Sequence, residues 1–279
     1  MNDQKIVFIG GGNMGRCLIA GLIVDGYSPR SIHVVDPDPK TRELLESQYQ
    51  INLHEDPQAA LVDAEIVVLA VKPQIMQLAI NGMKRFLNAS HPLLISIAAG
   101  IRTETLTKWL GSESPLVRTM PNTPAMVGSG ATALYATKNV TDHQRSMAES
   151  VMRAVGITQW LNNEALMDVV TAVSGSGPAY FFRMMEAMAK AGENLGLTAE
   201  QARLLTIETA FGAAKMALES SSDPATLRKQ VTSPGGTTER ALKVFNEQDI
   251  DTIFEQALTA AKDRSEELAI ELSNISGDS

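Results

Sequence analysis

A glycine-rich turn near the start of the chain constrains the fold more than any other feature. The apolar run at residues 5–9 leads into Gly-Gly-Gly-Asn-Met-Gly at residues 10–15, and a segment of helical texture follows. This is the pattern Gly-x-Gly-x-x-Gly in its required setting, between a strand and a helix. Gly10 permits the tight turn, Gly12 lets the backbone approach a pyrophosphate, and Gly15 lets the helix pack closely on the strand.

The turn predicts a dinucleotide site. A helix N-terminus offers unpaired N–H groups and partial positive charge to phosphate oxygens. The alternative is a glycine turn without a ligand, which the complete strand–turn–helix unit disfavours. We therefore expect the cofactor to contact five residues of the turn: Gly10, Gly12, Asn13, Met14 and Gly15.

The texture of the chain changes at about residue 162. Before it, strand-like apolar runs lie at residues 5–9, 32–35, 66–70, 93–97, 116–119, 131–135 and 157–161, and helical segments separate most of them. Such alternation predicts βαβ units and a largely parallel sheet. After it, no strand-like run remains and helical signals dominate. The sequence thus predicts a Rossmann-type, doubly wound α/β domain at residues 1–162 and an all-α domain at residues 163–279.

Composition excludes several classes of partner. The formal net charge is −8 and no block of Lys or Arg is present, so nucleic acid and anionic membranes are poor candidates. No apolar stretch is long enough to span a membrane. The single cysteine, Cys17, excludes an intrachain disulfide and a Cys-x-x-Cys metal site, and we expect no metal. The chain starts without the pattern of a signal peptide, so we expect a cytoplasmic protein.

The residues after the second strand bear on cofactor choice. Asp36 follows the apolar run at residues 32–35, where an acid usually bonds the ribose 2′-hydroxyl and favours NAD. Lys40 and Arg42 lie nearby and could meet the 2′-phosphate of NADP instead. The residues alone leave this preference open.

Two further loops follow strands on the side where ligands of open α/β sheets bind. Val71, Lys72 and Pro73 come after the strand at residues 66–70, and Pro73 suits the first turn of a helix. Asn122 lies in Met-Pro-Asn-Thr-Pro at residues 120–124, after the strand at residues 116–119. Both loops are candidates to face the nicotinamide, and ordinary proline-stiffened turns are the alternative.

The helical half contains two glycine-rich polar clusters, at residues 173–180 and 231–239. Each puts hydroxyls and backbone N–H groups at a helix start, which suits an anion, although simple capping explains the same residues. The helix at residues 178–195 is apolar on more than one face. It is either buried in a core or shared with another subunit, and the pattern leaves both open.

Taken together, the motifs resemble those of pyrroline-5-carboxylate reductases. The resemblance runs nearly end to end and rests on residues 10–15, 71–73, 96–100, 118–124, 174–180 and 233–238. The last of these, Ser-Pro-Gly-Gly-Thr-Thr, is its most specific mark. It implies reduction of 1-pyrroline-5-carboxylate to L-proline by hydride from NADPH or NADH, the last step of proline biosynthesis. Bacterial members commonly favour NADPH.

The resemblance also implies roles for residues and an assembly. Backbone N–H and hydroxyl groups would hold the substrate carboxylate at Ser233, Gly235, Gly236 and Thr237. Thr238 would contact the ring nitrogen, while Val71, Lys72, Pro73 and Asn122 would lie along the cofactor. The all-α dimerisation domain would join two chains, and dimers would form larger rings.

No residue of these motifs is an obvious general acid, so we expect the proton to come with the substrate or from water. Two other readings stay open. One is an enzyme of the same plan that reduces another imine or a hydroxy acid. The other is a non-catalytic dinucleotide sensor that dimerises through its helices.

Overall fold

A computed structural model describes residues 4–274, which contain one eight-stranded sheet in the order β3-β2-β1-β4-β5-β6-β7-β8. Neighbouring strands are parallel except β6 and β7. Residues 1–3 and 275–279, which the predicted domains include, lie outside the described part. The strands are β1 Ile6–Ile9, β2 Ile32–Val35, β3 Asn52–His54, β4 Ile66–Leu69, β5 Leu93–Ser96, β6 Leu116–Met120, β7 Gly130–Ala136 and β8 Gly156–Trp160.

The order of the first six strands is that of a doubly wound dinucleotide fold, which confirms the predicted class. The strand β3 is not predicted by the sequence pattern. This strand has only three residues, all half-buried, at the edge of the sheet, so it lacks the apolar run that marked the other strands.

Helices connect the strands and form the second half of the chain. They are α1 Asn13–Val24, α2 Pro39–Gln48, α3 Pro57–Leu61, α4 Pro73–Ser90, α5 Thr103–Leu110, α6 Asp142–Arg153, α7 Leu166–Val170, α8 Gly177–Asn194, α9 Ala199–Glu219, α10 Pro224–Gln230, α11 Thr237–Glu247 and α12 Ile250–Ser273. A π-helical turn, Thr171–Gly175, follows α7. No helix in the described part of the chain is long and apolar enough to cross a membrane.

The sheet is covered on both faces, because side chains of a strand point alternately to opposite sides. In β1, Ile6 and Phe8 join a core with residues of α1 and α6, while Val7 and Ile9 join a second core with residues of α4 and α5. All four side chains are at most 5% exposed. The continuous apolar runs of the central strands are thus explained by two-sided burial.

The described residues divide into two compact units, 4–176 with 261–274, and 177–260. The first, the α/β unit, contains the sheet, α1 to α7 and the last part of α12. The second, the helical unit, contains α8 to α11 and the first part of α12. In the first unit Met167 and Asp168 of α7 are buried, although both follow the predicted boundary at residue 162. That boundary was read from texture, which does not report packing, and it stays a prediction.

Polar contacts join α7 and the end of α12 to the rest of the α/β unit. Ser265 Oγ donates to Asp168 Oδ1 at 2.7 Å, and Arg102 Nη2 lies 3.7 Å from Asp168 Oδ2. Arg118 of β6 is 3% exposed, and its Nη1 donates to Glu164 Oε1 at 2.9 Å. This partly buried ion pair holds the residues before α7 beside β6.

The helical unit leaves large apolar side chains exposed. Helices α8 and α9 pack together where Gly192 approaches Ala202, which is 2% exposed. By contrast, Phe181 and Phe182 of α8 are 58% and 65% exposed, and Phe211 of α9 is 63% exposed. Burial of α8 in a core of its own chain is therefore excluded, and an apolar surface open to another subunit remains.

A pair of histidines joins β2 to β3 at the edge of the sheet. His33 Nδ1 and His54 Nε2 are 3.0 Å apart and the rings stack, so one neutral ring donates to the other. Burial, followed by the charges of Lys5 and His54, lowers the pKa of His33 to about 4. Burial and then Lys5 also lower the pKa of His54, which Asp56 partly offsets.

This pair predicts a loss of stability in mild acid. Because the folded pKa of His33 lies below the ordinary value of about 6.5, protons bind the unfolded chain more tightly. The free energy of unfolding is therefore unaffected by His33 protonation above a pH of about 6.5, and it decreases as the pH falls towards about 4. Urea unfolding between pH 7.5 and 5 should show this slope, and His33→Leu should flatten it. His143→Gln, an exposed control, should keep it; an unchanged slope in His33→Leu would contradict the assignment.

Candidate active site

The glycine turn at residues 10–15 lies where the strand order reverses, between β1 and β4. Gly10 has a φ of +102°, and a Cβ there would lie 2.9 Å from the carbonyl oxygen of Ala70. At Gly15 a Cβ would lie 2.8 Å from the carbonyl oxygen of Gly10. A side chain at Gly10 or Gly15 would push the strand and the helix apart. The turn therefore has the close packing that the motif predicts.

The start of α1 is open on the ligand side. Gly12 is its N-cap residue, has no side-chain cap, and has nothing within 4 Å of the space a Cβ would take. Asn13 is exposed and accepts a bond from Arg16 through Oδ1, whereas Met14 packs partly against the core. The turn therefore presents backbone rather than charged side chains, as a phosphate-binding helix start does.

Asp36 is held in place at the end of β2. Its Oδ2 accepts from the Gly11 N–H at 2.8 Å, and its Oδ1 accepts from the Asp38 N–H at 3.0 Å. Arg42 Nη1 donates to the Asp36 carbonyl oxygen at 2.7 Å, and its Nη2 lies 3.5 Å from Glu55. Lys40, at the start of α2, is exposed. The carboxylate is thus fixed beside the glycine turn, and Arg42 already has two acceptors.

The two predicted strand-end loops lie in the same unit. Lys72 is the N-cap residue of α4, which begins at Pro73, and Val71 lies beside Gly10. The Asn122 amide donates to Ser174 O and Oγ, each at 3.2 Å, and its Oδ1 accepts from the Ala131 N–H at 2.9 Å. The Asn122 side chain therefore ties the loop after β6 to the π-helical turn.

A cavity of about 470 Å³ lies in the α/β unit. The start of α4, the residues before α5 and the last part of α12 border it. Several polar side chains that line it belong to no predicted site. Gln74 follows Pro73 directly, which a wider reading of the strand-end loop would have included. Thr171 and Arg264 gave no such signal. The lining comprises Pro73, Gln74, Ala99, Gly100, Thr171, Ser176, Ala261, Arg264, Ser265, Leu268, Glu271 and Leu272.

The predicted substrate residues form one loop of the helical unit, before α11. Gly235 has a φ of +72°, which favours glycine, and its N–H donates to Glu239 Oε2 at 2.8 Å. The Gly236 N–H donates to Ser233 O at 3.0 Å, and Gly236 is the N-cap residue of α11. Ser233 and Thr237 are exposed and Thr238 is half-buried. The loop presents hydroxyl groups and the N-terminus of α11, the chemistry that binds a carboxylate, while the N–H groups of Gly235 and Gly236 donate within the loop itself.

The predicted cofactor residues all lie in the α/β unit, where the glycine turn contacts Asp36 and Val71. The predicted substrate residues all lie in the helical unit. Within residues 4–274, no group of three or more His, Cys, Asp or Glu side chains is arranged to hold a metal ion. A doubly wound sheet with a glycine turn at its switch point and an acid after β2 is built for a nicotinamide dinucleotide. This fold and site define an NAD(P)H-dependent oxidoreductase.

Comparison with known proteins gives the family. Residues 5–100 match the model for NADP oxidoreductase, coenzyme F420-dependent, and residues 164–268 match that for pyrroline-5-carboxylate reductase dimerisation. A pyrroline-5-carboxylate reductase of Pseudomonas aeruginosa is 48% identical over 272 residues, covering 98% of this chain and 99% of the relative. The chain belongs to the pyrroline-5-carboxylate reductase family, and its helical half makes it a homo-oligomer.

Solved structures agree with this assignment. A pyrroline-5-carboxylate reductase from Coxiella burnetii has a TM-score of 0.93 and 44% identity, covering 96% of this chain and 99% of that one. A pyrroline carboxylate reductase from Plasmodium falciparum, solved with NADP bound, has a TM-score of 0.84 and 30% identity, with coverage of 96% and 99%.

Proposed function

We propose that this chain reduces 1-pyrroline-5-carboxylate to L-proline with hydride from NAD(P)H, the last step of proline biosynthesis. The observation that carries the proposal is the Ser-Pro-Gly-Gly-Thr-Thr loop at residues 233–238, which opens α11 with backbone N–H groups. The end-to-end similarity to reductases of that name supports it.

The α/β unit positions the cofactor in this proposal. The residues that fit it are Gly10, Gly12, Asn13, Met14, Gly15, Asp36, Lys40, Val71, Lys72, Pro73 and Asn122. The exposed start of α1 fits a pyrophosphate, because its N–H groups carry partial positive charge. When bound, the nicotinamide supplies the hydride. Val71 borders the glycine turn, so the loop after β4 lies along the bound dinucleotide.

The helical unit binds the substrate anion. Ser233, Gly235, Gly236 and Thr237 hold the carboxylate through hydroxyl and N–H groups, and Thr238 bonds the ring nitrogen. These groups attract an anion locally although the chain carries a net charge of −8. A protonated C=N bond is already electrophilic, so holding the ring in near-attack geometry supplies several kcal/mol of the barrier. The proton comes with the substrate or from water.

The preferred cofactor in this proposal is NADPH, as the NADP-bound Plasmodium relative suggests. Lys40 and Arg42 meet the 2′-phosphate, and Arg42 would leave Glu55 to do so. The fixed Asp36 carboxylate repels the same phosphate, which keeps NADH usable. We further propose dimers that assemble through the helical unit into larger rings, in the cytoplasm.

The function is tested by following NADPH absorbance with 1-pyrroline-5-carboxylate and identifying the product. We expect rapid oxidation that yields L-proline. Oxidation only with another imine or a hydroxy acid would indicate a different reductase of the same plan. Tight NADPH binding without turnover of any of these would instead indicate a sensor.

The role of Thr238 is tested by Thr238→Ala. Loss of one hydrogen bond to the ring nitrogen should lower kcat/KM about 10-fold, and the shape of the pH profile should not change. Thr238→Ser keeps the hydroxyl and should restore most of the activity. If Thr238→Ala abolished turnover at every pH while L-proline still bound normally, Thr238 would be the proton donor and the proposal would be wrong.

The cofactor residues are tested by opposite substitutions. Asp36→Asn keeps an acceptor for the Gly11 N–H but removes the charge, so the ratio of kcat/KM for NADPH over NADH should rise about 10-fold. Replacing both Lys40 and Arg42 by Ala should raise KM for NADPH far more than for NADH. Asp56→Asn, at the N-cap of α3, is the control with an equal loss of charge. Equal effects on both cofactors would contradict the assignment.

A further inference from the structure

Glu239 makes an unusual contact at the start of α11. It is the third residue of this helix, and its Oε2 accepts from the Gly235 N–H at 2.8 Å. In a capping box, a glutamate at this position accepts from the N–H of the N-cap residue. Here that N–H, of Gly236, already donates to Ser233 O at 3.0 Å. Glu239 therefore reaches one residue further, to Gly235.

The contact uses a donor that the proposed function assigns to the substrate. An N–H group has one hydrogen, so a carboxylate that accepts it leaves less for a second carboxylate. The Glu239 side chain carries the same chemical group as the substrate and occupies the same donor. We propose that Glu239 is an internal competitor of the substrate carboxylate and sets the KM of the enzyme, an inference that rests on the proposed function of this loop.

A second position for the Glu239 side chain lies within the helical unit. Glu239 is exposed and borders a cavity of about 650 Å³ whose lining also includes Arg228, Lys229 and Lys243. Lys243 follows Glu239 by one helical turn, and a glutamate four residues before a lysine stabilises a helix. Lys243 Nζ now lies 3.7 Å from Glu247 in an exposed pair, which is weak. Lys243 thus gives the displaced Glu239 carboxylate a nearby cation, which offsets part of the cost of leaving the Gly235 N–H.

The exchange concerns substrate binding and not hydride transfer. Glu239 is displaced when the carboxylate enters, before the ring and the nicotinamide react. Its removal should therefore lower KM for the substrate and strengthen inhibition by the product L-proline, which carries the same carboxylate. It should leave kcat and KM for NADPH unchanged. The fall in KM should be about threefold to tenfold, which is the change in affinity that corresponds to one net hydrogen bond.

The test compares Glu239→Ala and Glu239→Gln with the wild-type enzyme. We expect KM to fall about threefold to tenfold in Glu239→Ala and less in Glu239→Gln, because an amide oxygen can still accept from Gly235. Glu113→Ala is the control: it removes an equal charge at the other unit, before β6, and should leave KM unchanged. The thermal midpoint of each variant reports the loss of a cap separately.

The outcomes separate the two proposals. An unchanged KM in Glu239→Ala, or a raised KM with a lowered thermal midpoint, would show that Glu239 only caps the helix and would overturn the inference while the proposed function stands. Tighter binding of L-proline to Glu239→Ala by calorimetry, without any assay of turnover, would support it. A wild-type enzyme that does not turn over 1-pyrroline-5-carboxylate would overturn the proposed function and the role of Glu239 with it.

Discussion

The close approach of the glycine turn to the end of β4 controls the rest of the α/β unit. β1 lies between β2 and β4, and the chain must leave it through a gap in which a single Cβ at Gly10 would come within 2.9 Å of Ala70. Because the backbone passes through this gap, α1 starts directly above the switch point. Its N–H groups then point to the crevice where a dinucleotide fits. Fold and cofactor site thus share one constraint.

Local signals explain what the sequence made predictable. The glycine turn, the doubly wound sheet and the helical second half all follow from patterns within about ten residues of each other, such as the apolar run that precedes Gly10. The short β3 could not be predicted, because its three half-buried residues are too few to show a periodicity. Pairing with β2, a tertiary effect, makes it a strand.

Long-range contacts explain what could not be predicted. The bond between Ser265 and Asp168 joins residues 97 positions apart, and it brings the last part of α12 to the α/β unit. Neither residue belongs to a motif. In the candidate site, likewise, the sequence predicted which residues lie at the helix starts but not how side chains are used. The bonds of Arg42 to the Asp36 carbonyl and of Glu239 to Gly235 depend on loop geometry that no pattern records.

Helix N-termini let both candidate sites attract anions although the chain carries a net negative charge. A dinucleotide and an amino-acid carboxylate are anions, and the chain has a net charge of −8. The two candidate sites lie at the N-termini of α1 and α11. There each helix dipole stabilises an anion by about 0.3–1 kcal/mol without a cationic side chain. Such donors do not select one carboxylate over another, so an acid of the chain itself can take them. Because a helix N-terminus attracts anions in general, the chain's own Glu239 accepts the Gly235 N–H in the loop before α11.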